Sequence, residues 1–218
     1  MTDLSTRITK LIKLERELPQ KAGKILQPDS PMYLTVWFIL GASQRTLAQS
    51  RGFRSMIEAK NFPSAAILLR TQIDTAMRIN GLKYLHSTES QLSEVFKGTK
   101  NFRQLLSRQK TVKGHAVPMY DKKMLEWLMA DEPWIEPIYH STSDFVHLSF
   151  RPLIASIQEL DDDTGDINFA ITGEDIVTGE HDYYEICDAF FDVTKLTCTL
   201  ILAALMAIHH PNNEPTKS

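Results

Sequence analysis

The sequence predicts an all-α protein: a helical bundle of about six to seven helices over residues 1–218, with a short hairpin or loop insertion near 157–180. Three observations predict it. Long stretches repeat their apolar residues at helical spacing. Turn clusters and prolines cut these stretches into helix-sized pieces, at "QPDSP" (Gln27 to Pro31), at "NFP" (Asn61 to Pro63) and at Pro152. Alternation of the strand type stands out only at Ile167, Phe169 and Ile171.

From Asp3 to Leu26, the residues Leu4, Ile8, Leu11, Ile12 and Leu18 recur at helical spacing. Ser30-Pro31 opens a second helix that runs from Met32 towards Lys60. Pro63 starts a third, "PSAAILLRTQIDTAMRINGLKYLH". A fourth is expected over Glu89 to Ser107, followed by a basic loop from Arg108 to Pro118. Lys122 to Met129 is a short helix. Trp134 to about Arg151 is a longer one, stopped or kinked at Pro152, which has no N–H to continue the ladder. The hairpin or loop lies in "LDDDTGDINFAITGED". Asp182 to His210 forms the last helix. Its apolar run, Leu196 to Ile208, is shorter than the ~20 residues a bilayer requires and reads as core. Residues 211–218, "PNNEPTKS", are a frayed tail.

The composition, 43% hydrophobic and 23% charged, is that of a soluble domain. The opening "MTDLSTRITKLIKLERELPQ" carries charges where a secretory signal needs an apolar stretch. Cys187 and Cys198 are eleven residues apart on one expected helix, a rise of about 16 Å and too far for a disulfide. A reduced, cytoplasmic protein with no membrane association is therefore expected. His and Cys pairs at ligand spacing are lacking, so neither a metal nor a cofactor is expected. "DDDTGD" (Asp161 to Asp166) reads as a loop, because a calcium loop starting at Asp161 would need Gly and Glu where Asp166 and Thr172 stand.

The net charge of -3 conceals a split. Lys97 to Lys123 holds eight Lys or Arg and one acid, Asp121, whereas Glu159 to Asp192 holds twelve acids and no Lys or Arg. Either these are two solvated faces, or the first is a nucleic-acid surface carrying Lys97, Lys100, Arg103, Arg108, Lys110, Lys113 and His115.

Two polar rows interrupt the apolar helices. On the third helix Arg70 shares a small-residue face with Ala66, Met77 and Gly81; Asp74 lies one turn on and Arg78 one turn beyond. Arg70 and Asp74 are spaced to pair, and a buried guanidinium requires such a partner. In "IYHSTSDFVHLSF", Tyr139, Ser143 and His147 step by four, with His140 beside them, on a helix apolar around most of its circumference and so expected to be buried. The two rows are expected to face each other. They form either a network that fixes helix register or a site. As a site, Arg70 supplies a cation for an oxyanion, His147 and His140 supply acid and base, and Asp74, Arg78, Tyr139 and Ser143 hold substrate.

"AAILLRTQIDTAMRINGLKYL" together with "YHSTSDFVHLS" resembles a group of bacterial helical domains related to the HEPN superfamily, which carry an "LLR…E" helix and a later "S-x-[FY]-V-H-x-S" helix. Arg70, Ser143 and His147 match that pattern, and Asp74 stands where Glu is usual. The resemblance covers Met32 to Phe150. It implies a HEPN-like bundle and a cytoplasmic homodimer that binds or acts on RNA or nucleotides. As an enzyme it would be a metal-independent ribonuclease of bacterial stress or phage defence, with a protein partner encoded nearby. The ribonuclease signature of such proteins, an Arg followed by a His, is met in its loosest spacing by Arg108 and His115, with Gln109 where Asn, Asp or His is usual. The alternative is a non-catalytic binding or interaction module whose Arg/Asp/Ser/His cavity is structural or holds a small anion.

Overall fold

The structure, a computed structural model, describes residues 3–147, 157–160, 164–169, 175 and 178–211. Seven α-helices are described: α1 (Leu4–Ile25), α2 (Leu34–Glu58), α3 (Phe62–Gly81), α4 (Thr88–Phe96), α5 (Asp121–Met129), α6 (Ile135–Val146) and α7 (Glu180–His209). Two antiparallel hairpins accompany them, β1 (Leu106–Lys110) with β2 (Ala116–Pro118), and β3 (Ile157–Leu160) with β4 (Ile167–Phe169). The chain is thus all-α in character, and the expected hairpin near 157–180 is present over 157–169.

α3 is the axis. Ala65, Ala66, Leu69, Ile73, Ala76, Met77 and Ile79 are all buried and surround most of its circumference, so α2, α5, α6 and α7 all pack against it. Asn61 starts it by accepting a hydrogen bond from the Ser64 N–H at 3.1 Å, with Pro63 in the first turn. Gly81 ends it where a Cβ would meet the Met119 side chain at 2.9 Å, so only glycine fits without a shift. α2 begins with no cap of its own. Glu89 of α4 supplies one, accepting from the Leu34 and Thr35 N–H groups at 2.8 and 2.9 Å.

α7 buries one face, including Ile186, Phe190, Val193, Thr197, Ile201 and Leu205, against α1, α2 and α3. Phe190 stacks on Phe53 with centroids 3.8 Å apart. Among the described residues it is the one helix long and apolar enough to cross a membrane by length and composition, and a third of its most apolar window is buried. Cys187 and Cys198 are free and buried on it, and burial pushes both thiols up to about 12.

Four expectations are corrected. The third helix ends at Gly81 and passes into a single 3₁₀ turn at Leu82–Tyr84. The fourth ends at Phe96, where Gly98 adopts φ +70, rather than reaching Ser107. Arg108 to Pro118 is no loop. It forms a hairpin whose base is tied down by Gln91, which donates to the Leu106 carbonyl at 2.8 Å and accepts from the Leu106 N–H, and by the His86 N–H donating to the same carbonyl. Finally, α6 stops at Val146, and it is not buried all round: Ile135 and Thr142 are buried while Glu136, Pro137, His140 and Val146 are exposed. Ile138, Tyr139 and Phe145 rest half-buried against the core.

Candidate functional site

The two polar rows meet where α6 crosses α3. Arg70 is 8% exposed. Its Nε donates to Ser143 Oγ at 3.0 Å, an Nη pairs with Asp74 one turn on, and its guanidinium carbon lies 3.7 Å from the centroid of the Tyr139 ring. Ser143 Oγ in turn donates to the Tyr139 carbonyl at 2.7 Å. Arg70, Asp74, Tyr139 and Ser143 therefore form one contact group.

The group continues as a chain of alternating charge. Arg78 donates to the Asp74 carbonyl at 2.9 Å, with its guanidinium 3.9 Å from the Asp74 carboxylate and 3.8 Å from that of Asp121. Arg103 reaches Asp121 at 3.2 Å. Three guanidiniums thus face two carboxylates. Burial, the largest influence, raises the Tyr139 hydroxyl above its ordinary value; Asp74 and Asp121 add to the rise, and Arg70 and Arg103 oppose it. Arg70 itself is occupied on its edge and covered on its face, so it can lock α3 to α6 but offers little to an incoming oxyanion.

The two histidines make no bond within this group. His147 caps α6 with extended backbone (φ -109, ψ 107) and an exposed side chain, so it does not continue the row of Tyr139 and Ser143. The helical step that would have placed it opposite Arg70 ends one residue earlier. His140 is exposed, its ring edge-on to that of Tyr139 with centroids 5.6 Å apart. Neither histidine has a hydrogen bond or ion pair with Arg70 or Asp74. The helical register expected to carry His147 onto the row of Tyr139 and Ser143 is thereby corrected.

The basic segment divides as well. Lys100 is paired with Glu94 at 2.9 Å and Arg103 with Asp121, while Lys97 is exposed beyond the end of α4. Arg108, Lys110, Lys113 and His115 are exposed on the β1–β2 hairpin, around a turn in which Gly114 takes φ +81 and Val112 is fully exposed. Arg108 is also tethered, its Nε donating to the Leu85 carbonyl at 2.8 Å. Among the described residues no carboxylate lies within 4.0 Å of Arg108, Lys110 or Lys113. Arg108 and His115 flank the turn rather than sharing a helix face.

Sequence reasoning missed Arg45, Trp37 and Phe96. Together with Phe38, Thr75 and Arg78 they line a cavity of about 370 Å³ between α2, α3 and α4. The available signal was the step of four from Trp37 through Gly41 to Arg45, which aligns an aromatic, a gap and a cation on one face of α2. Among the described residues no group of three or more His, Cys, Asp and Glu side chains could hold a metal ion. No family model matches the chain, and no curated protein and no solved structure matches it.

Proposed function

We propose that this chain is a HEPN-like, cytoplasmic RNA-binding protein, working as a homodimer, in which the β1–β2 hairpin grips the phosphate backbone and the Arg70 centre is an architectural clasp. The observation that carries the reading is the contrast within the basic segment. Lys100 and Arg103 are neutralised by Glu94 and Asp121, whereas Arg108, Lys110 and Lys113 project from a hairpin fixed at its base. Cations held clear of carboxylates on a rigid support attract phosphates and release counterions when they bind.

The test is fluorescence anisotropy with a single-stranded RNA across a range of salt concentrations. Lys110→Glu with Lys113→Glu is expected to weaken binding and to flatten the slope of log K against log salt by about 1.4, at about 0.7 per phosphate contact. Unchanged binding would reduce the hairpin to a solvated face. The ribonuclease reading keeps one observation in its favour, since His140 and His147 are both open to solvent on the helix that supplies Tyr139 and Ser143. It requires RNA cleavage without added metal that is lost in His147→Ala.

A further inference from the structure

The cavity between α2, α3 and α4 has residues that the RNA reading does not use. Trp37 and Phe96 stand on its rim, 52% and 49% exposed, edge to face with centroids 6.2 Å apart and planes at 83°. An edge-to-face pair leaves ring face uncovered, and two large rings in that state are an unusual surface. Nothing lies within 4 Å of a Cβ built on Gly41, so the floor between Trp37 and Arg45 is open space.

Beside the rings the charge is unbalanced. Arg45 Nε donates to Thr75 Oγ1 at 3.0 Å, which fixes the guanidinium against α3. The Gln49 amide is best placed with its oxygen towards Arg45, 3.2 Å from Nη2. These partners are neutral, and among the described residues no carboxylate lies within 4.0 Å of Arg45. Arg78, also on the cavity wall, already shares Asp74 with Arg70 and Asp121 with Arg103. With Arg45 added, four guanidiniums face two carboxylates. Burial and then the Arg78 charge disfavour the charged form of Arg45, and Asp74 only partly offsets them.

We propose that this cavity binds a phosphate monoester of a molecule that also carries a flat aromatic or heteroaromatic ring, with the ring stacked on Trp37 and the phosphate between Arg45 and Arg78. Two like charges held together are relieved by a dianion, and a phosphate monoester supplies two negative charges with oxygens spaced for a guanidinium fork. The open Trp37 face receives the ring, since every such ring has a π-face to stack. The volume of about 370 Å³ falls within the range of about 300–1,000 Å³ that small-molecule sites occupy. Two sources share this chemistry, nucleoside monophosphates and ring phosphates of the pyridoxine type.

Isothermal titration of the full chain tests it, with AMP, pyridoxine 5′-phosphate, adenosine and ribose 5-phosphate as probes. At least one ring phosphate is expected to bind at least tenfold more tightly than adenosine and ribose 5-phosphate; AMP alone marks the nucleotide source, and pyridoxine phosphate alone the other. Arg45→Gln should weaken that phosphate at least tenfold and leave adenosine unchanged. Trp37→Ala should weaken both the phosphate and adenosine, with Trp37→Phe restoring most of the loss. Phe96→Ala is the second ring variant, and all four should keep the wild-type circular dichroism. Failure of both phosphates to bind, or binding indifferent to Arg45→Gln and Trp37→Ala, overturns the proposal. So does a dimer that Trp37→Ala dissociates while ring phosphates leave it intact, because the rings would then be an interface between copies. Lys110→Glu with Lys113→Glu should not alter ring-phosphate binding, so this proposal and the RNA reading fail separately.

Discussion

Arg54 and Arg70 each join one helix to another with the help of a carboxylate, but they end differently. Arg54 on α2 meets Glu15 on α1 through two bonds, Nε to Oε1 at 2.9 Å and Nη2 to Oε2 at 3.1 Å, and Ser50 Oγ donates to the same Oε1 at 2.7 Å. One cation meets one anion and the unit is closed. Arg70 has the same richness of partners, yet its carboxylate is shared with Arg78, which leads to Asp121 and Arg103 and leaves a cation in excess. A closed pair fixes two helices and needs nothing more. An open chain of like surplus can fix helices at its buried end and still attract an anion at its exposed end. Arg70 is the buried end, and Arg45 and Arg78 border the cavity.

The largest expected effect comes from breaking the buried end. Arg70→Ala leaves Ser143 and Asp74 without their main partner and uncovers the Tyr139 ring. Stranding a buried charge costs roughly 3–5 kcal/mol. Because Asp74 is 21% exposed and keeps Arg78 at 3.9 Å, the lower end, about 3 kcal/mol, is expected in urea unfolding. Glu15→Ala should cost less, about 2 kcal/mol, since Arg54 is 22% exposed and can turn to water. A reversed order would make the α1–α2 clasp the dominant one and weaken the case that Arg70 is architectural.

A smaller effect tests the borrowed cap. Glu89→Ala deprives the Leu34 and Thr35 N–H groups of their acceptor, and cap losses of this kind cost about 1 kcal/mol. Burial opposes ionisation of Glu89, but the hydrogen bonds from Thr35 and Leu34 outweigh it and hold the pKa below its ordinary 4.5. A depressed carboxylate stabilises the fold above its unfolded pKa and loses that contribution as pH falls through the folded one. Wild type and Glu89→Ala should therefore differ at neutral pH and converge as pH falls below the ordinary carboxylate range, as read by thermal melts across pH.

Helix-wheel reasoning on the sequence found the pairing of Arg70 with Asp74 and the opposing positions of Tyr139 and Ser143, because both rows lie inside uninterrupted helices where 100° per residue holds. It failed at His147 for a local reason: the helix ends at Val146, six residues before Pro152, which is expected to stop or kink it. The β1–β2 hairpin was illegible because "LSRQK" has no apolar alternation. Its base is set by Leu85 and Gln91, which are distant in sequence. The cavity beside Arg45 was missed because Trp37 and Phe96 come from separate helices and meet only once α4 has packed against α2.

The smallest expected change in stability belongs to His147→Ala, and it separates the two kinds of arginine most directly. His147 is exposed, sits at the end of α6 and makes no side-chain hydrogen bond to a described residue, so its removal should shift stability by less than about 0.5 kcal/mol. If the Arg70 centre is a clasp like that of Arg54, His147→Ala leaves RNA binding within experimental error and no metal-free cleavage exists to be lost. If the centre works with a histidine as acid or base, the same folded variant loses cleavage by at least about 100-fold. Stability and cleavage are measured on one preparation, so a fall in activity cannot be assigned to unfolding. Arg70→Ala does not allow that separation, because its own destabilisation lowers both readouts together. An active wild type whose His147→Ala variant is folded but inert would move Arg70 from architecture to chemistry, and Arg54 would remain the only pure clasp of the two.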